Sequence, residues 1–91
     1  MSHPYGPGAA ERIPVELIEA DFEIAFSLLD LAGADARLAA RAIHDAEDVF
    51  RDIESRLQRL GVPGNQPFVP LVGELRRELD LARLQDGEAA A

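Results

Sequence analysis

The chain contains no cysteine, no lysine and no threonine, and its serines are confined to Ser2, Ser27 and Ser55. Without cysteine there can be no disulfide, iron–sulfur cluster, thiolate zinc site or thiol nucleophile. The same absence fits a reducing compartment. With so few hydroxyls, and none in a motif that supplies a base, nucleophilic catalysis is poorly provided for. No apolar run approaches the ~20 residues a membrane span needs. There is no phosphate-cradling glycine loop and no Asp-x-Asp-x-Asp-Gly calcium loop. All cations are arginine, nine against seventeen acids, for a net charge of −8. With abundant alanine, that bias reads as a GC-rich bacterial genome. The acidity argues against nucleic acid and anionic membranes, where each phosphate contact needs a cation.

Ninety-one residues make one domain, and a chain this short buries only ~60% of its unfolded surface. Oligomerisation is a common way to add stability at this size. Residues 1–12, with Pro4, Gly6, Pro7 and Gly8, have neither a basic start nor an apolar stretch. They read as a disordered tail, not a signal or transit peptide, and the expected location is cytoplasmic. Residues 86–91 read as a second tail, leaving a helical domain over 13–85.

Three stretches carry helical periodicity. In the first, Val15, Ile18, Phe22, Ala25, Leu29 and Ala32 are spaced 3-4-3-4-3. Pro14 suits the first helical position, and Gly33 is expected to end the helix as a left-handed cap. In the second, Ala36, Ala39, Ile43, Ala46, Phe50, Ile53, Leu57 and Leu60 form the longest stripe, with Asp35 as its expected N-cap and Gly61 as its stop. Glu47 with Arg51, and Asp52 with Arg56, have the spacing of intrahelical ion pairs. The alanines of its first half make it slim. In the third, Phe68, Val72, Leu75, Leu79 and Ala82 follow an irregular start between Pro67 and Pro70, with Gly73 as a weak point. The expected fold is an all-α, up-down-up antiparallel three-helix bundle, with helices about 14–32, 35–60 and 67–85, completed by dimerisation.

The first helix is apolar on too much of its circumference. Glu16, Glu19, Glu23 and Asp30 share one narrow arc with Ser27, and apolar residues occupy roughly 240° where a surface helix needs about 100°. Leu17, Ile24, Leu28 and Leu31 make a second apolar face, with a smaller shoulder at Leu38, Ala42 and Val49 on the second helix. The candidate interface is therefore Leu17, Ile24, Leu28, Leu31, Leu38 and Val49, and a symmetric homodimer is the expected occupant. Asp21 lies inside the apolar arc. A carboxylate there needs solvent at a seam or an arginine from another helix, with Arg41, Arg56 and Arg77 the candidates.

Tests for other chemistry are negative. His44 with Asp48 is one i,i+4 pair facing outward, too few ligands for a selective metal site. No cofactor site, metal site or catalytic residue is assigned. The expected function is a non-enzymatic helical interaction or assembly protein, homodimeric through the first helix. The alternatives are an acidic adaptor or inhibitor docking a basic protein through Glu16, Glu19, Glu23 and Asp30, and, third, a metal-binding helical protein.

Overall fold

The computed structural model describes residues 14–90, with side chains through Glu88. The expected N-terminal tail lies outside the described residues. Within them the chain forms three α-helices and no strand: α1 (Val15–Ala34), α2 (Ala39–Leu60) and α3 (Val69–Ala90), with a short 3₁₀ turn at Gln66–Phe68. The helices pack on one another as a helical bundle, α1 and α2 most closely and α3 more sparingly on both.

The core follows the periodic stripes. Ile18, Phe22, Ala25 and Leu29 of α1 meet Ile43, Ala46, Phe50, Ile53 and Leu57 of α2, and Phe68, Leu75 and Leu79 close the cluster. Ile18, Ile53 and Leu75 are fully enclosed. Phe68 stacks on Phe22 with ring centroids 6.0 Å apart, which anchors the start of α3 against α1. Among the described residues no polar side chain is buried. Val15, the first residue of the α1 stripe, is exposed, one turn before the other helices reach it.

The helix ends depart from the sequence reading in instructive ways. Pro14 caps α1 in extended conformation instead of forming its first turn. Gly33 does not end α1. The chain leaves the helix at Asp35 in extended conformation, and the Asp35 N–H donates to the Leu31 carbonyl at 3.0 Å. An extended exit needs no left-handed residue, so Gly33 stays helical. α2 starts four residues later than its expected N-cap. The Asp35 carboxylate does accept a free N–H, that of Arg37 at 3.0 Å. The Leu38 N–H donates to the Asp35 carbonyl at 3.1 Å, which makes residues 35–38 a turn. The first α-helical bond of α2 is Ala42 N–H to Leu38 carbonyl, at 2.8 Å.

Gly61 ends α2 as expected, with φ at +72°, a conformation open to glycine and rare for other residues. The Val62–Pro63 peptide is cis. The 3₁₀ turn holds Pro67 ahead of α3 and leaves Val69 in helical conformation in spite of Pro70. α3 then continues through Ala90, past the expected end near 85. Residues 86–90 extend the helix where the sequence reading has a tail.

Salt bridges set the register between helices. Arg56 of α2 pairs with Asp21 of α1. Arg76 of α3 reaches Glu54 of α2 at 3.0 Å, and Arg83 of α3 pairs with Glu47 of α2. Arg76 also lies over the Phe50 ring, 5.0 Å from its centroid. Where the alanine-rich start of α2 meets the late turns of α3, closure is incomplete. A cleft of about 340 Å³ remains, lined by Leu29, Ala32, Gly33, Ala39, Leu81 and Ala82 among others.

Candidate functional site

An α-helix repeats its faces about every seven residues, so a row at that spacing runs along one side. On α1, Leu17, Ile24 and Leu31 form such a row, and all three are exposed, by 42%, 49% and 42%. Ala20, Ser27 and Ala34 lie between them one row over, also exposed. The buried row of α1, with Phe22 and Leu29, lies on the opposite side.

α3 does not cover this row. The 3₁₀ turn ahead of it stacks Phe68 on Phe22, α3 itself lies beside Phe22, Phe26 and Leu29 of α1, and Arg76 and Arg83 meet Phe50, Glu54 and Glu47 of α2. On the helical wheel those α1 positions lie away from Leu17, Ile24 and Leu31. Leu28 of α1 and Val49 of α2 are half-buried and pack against the edge of the core. Leu38 is 43% exposed at the turn into α2. The six residues read from the sequence as an interface thus divide. Leu17, Ile24, Leu31 and Leu38 present free apolar surface, while Leu28 and Val49 have most of theirs already in use.

Asp21 lies on the flank of α1 between the open row and the buried stripe, facing α2. Its carboxylate pairs with the Arg56 guanidinium, and both side chains are largely shielded, 13% and 26% exposed. Arg41 and Arg77 do not take this role. Such a pair is stronger than one in open solvent because less water competes for either charge. It also ties the early part of α1 to the late part of α2.

The four acids of the charged arc are all exposed. Among the described residues none of them is in a salt bridge. Glu16, Glu23 and Asp30 run along one edge of the open row. Across this acidic line lies a groove that the sequence reading does not contain. It has a volume of about 550 Å³ and is lined by Phe22, Phe26 and Leu71 with Glu19, Glu23, Ser27 and Asp30. Phe26 stacks on Phe22 at 6.5 Å between centroids. The available signal was Phe26, an aromatic placed among acids on α1. Leu71, which completes the floor, comes from α3 and could not be assigned without the tertiary fold.

His44 lies 3.6 Å from Asp48, both exposed, and Asp48 is also paired with Arg51. Among the described residues no three His, Asp or Glu side chains converge on a metal-sized position. No helix of the described residues is long and apolar enough to cross a membrane.

No family model, curated protein or solved structure matches this chain. Its functional reading therefore rests on its own surface.

Proposed function

We propose that this chain is a small non-enzymatic helical interaction protein that assembles as a homodimer through the open side of α1, its helices running up-down-up. The observation that carries the reading is the row Leu17, Ile24 and Leu31, each more than 40% exposed, on a side of α1 that no other helix among the described residues covers. The small Ala20, Ser27 and Ala34 beside it allow a second helix to approach closely. The salt-bridge register of Asp21 with Arg56, Glu54 with Arg76 and Glu47 with Arg83 supports the alternating helix directions.

Magnitudes favour a weak dimer. Burying the remaining exposed part of a leucine or isoleucine contributes about 1 kcal/mol. With Leu38 included, two copies supply roughly 8 kcal/mol, against an association cost of ~4–15 kcal/mol. The acidic line along the edge opposes a dimer in which α1 lies on the partner's α1. Each exposed like-charge pair costs only about 0.2–0.5 kcal/mol, so the apolar term wins and the repulsion lowers affinity.

Sedimentation velocity across a concentration series tests the reading. A species of twice the 9.9 kDa chain mass is expected to grow in only toward the millimolar end of the series, since a net gain of at most about 4 kcal/mol corresponds to a Kd of about 1 mM. Salt should leave it unchanged or tighten it, because screening weakens the acid repulsion. Ile24→Glu should return it to monomer. A single-chain particle throughout the series would end the proposal.

A further inference from the structure

The groove across the acidic line from the dimer row has its own chemistry. Its floor is aromatic and apolar: Phe22 is held between Phe26 and Phe68 in a stack, and Leu71 of α3 closes one end. Phe26 and Leu71 are each partly exposed there. Its rim is anionic along one side, with Glu19, Glu23 and Asp30 all on α1. From the helical rise, Glu19 and Glu23 are separated by ~6 Å along the axis and Glu23 and Asp30 by ~10 Å. The groove is thus two-sided along its length, greasy on one edge and acidic on the other.

We propose that this groove docks a basic amphipathic helix of a different protein. A helix lying beside α1 repeats the same rise, so cations at positions i, i+4 and i+11 stay level with Glu19, Glu23 and Asp30 over the whole row. An apolar side chain from its other edge covers Phe26 and Leu71. Arginine fits best, because its planar head both pairs with carboxylate and stacks on an aromatic face. A second copy of this chain does not supply that complement. It brings a net charge of −8, and Arg37, Arg51, Arg56, Arg76 and Arg83 are already in salt bridges, which leaves Arg41, Arg59 and Arg77 among the described residues to face an acidic rim. The apolar floor of the groove, Phe22, Phe26 and Leu71, lies away from Leu17, Ile24 and Leu31, while Ser27, Glu23 and Asp30 border both surfaces.

The test titrates the full-length ¹⁵N-labelled chain with a synthetic 18-residue helical peptide carrying leucine along one edge and arginine along the other. Amide shifts should concentrate at Phe26, Asp30 and Leu71. Affinity measured by fluorescence anisotropy should fall about tenfold from 50 to 300 mM NaCl. The E19Q/E23Q/D30N variant, altered only at exposed positions, should keep the wild-type thermal melt and lose about tenfold in affinity. A variant with the same change in net charge elsewhere, D52N/E74Q/E88Q, should bind as the wild type does. Equal loss in both variants would mean bulk charge alone and would overturn the site. So would shifts centred on Leu17, Ile24 and Leu31, spermine producing the same shifts at the same affinity, or no binding at millimolar peptide.

Discussion

α1 and α2 are nearly equal in length, twenty and twenty-two residues, yet they solve different problems. α2 is apolar along one stripe and charged around the rest. Its stripe is buried and its flanks are spent on neighbours: Glu47 and Glu54 on α3, Arg56 on α1. α1 is apolar on two opposite sides and uses only one of them. Its Ile18 is fully enclosed, while Ile24, the same residue type six positions on, is half in solvent. Periodicity makes both sides of α1 equally good helix. It does not say which side receives a neighbour, and the two sides differ as packed surface from open surface on a single helix.

The comparison breaks most sharply at the two isoleucines. Ile18→Ala should destabilise the fold by about 2–5 kcal/mol, since it opens a cavity in a packed core. Urea denaturation measures it, and for so small a domain the variant should be largely unfolded at 37 °C. Ile24→Ala should change folding stability by less than about 1 kcal/mol. Its effect should fall on self-association, and equal destabilisation at the two sites would show that the open side of α1 is not open.

The two helix-terminal glycines sharpen the same point with opposite signs. Gly61 sits at φ +72°, so Gly61→Ala should cost about 1–3 kcal/mol. Gly33 is helical, with open space where a Cβ would sit, so Gly33→Ala should stabilise by about 0.5–1 kcal/mol. Thermal melts of the two single variants suffice. Opposite shifts are expected, although the sequence presents both as helix stops.

Between these in size is the pair that joins α1 to α2. Replacing Asp21 by Asn, or Arg56 by Met, leaves one largely shielded charge without its partner. Each should cost about 1–2 kcal/mol, between the values for exposed and buried pairs. A double-mutant cycle isolates the coupling. The smallest effect belongs to Arg83→Gln, which removes a more exposed link from α3 to Glu47 and should cost under about 1 kcal/mol.

Much of this architecture was legible from residue order. Among the described residues, thirteen of the fourteen buried apolar ones belong to the three stripes read by spacing; Ala42 is the exception. The Gly61 stop was legible because its chemistry is local. The intrahelical salt bridges were not. Glu47–Arg51 and Asp52–Arg56 have suitable spacing, but Glu47 faces Arg83, Arg56 faces Asp21, and Arg51 turns to Asp48. For Glu47 and Arg56 a partner on another helix displaces the one four residues away, and sequence separation hides it; Arg51 takes an acid three residues back on its own helix. The start of α2 was misplaced for a related reason. Asp35 bonds to a nearby N–H as expected, but the chain reverses direction there and spends residues 35–38 on the turn.

What residue order determined by itself is local and repetitive: three helices, the stripe each buries, the excess of apolar surface on α1, and the exclusions that follow from missing cysteine. These need only the 3.6-residue period and the chemistry of single side chains. The tertiary structure decided which side of α1 stays open, which arginine meets Asp21, and that Phe22, Phe26 and Leu71 come together beside the acids. Each of those depends on where α3 lands on the α1–α2 pair. That placement is set by long-range packing of Phe68, Leu75 and Leu79 against the other helices, and no local pattern encodes it.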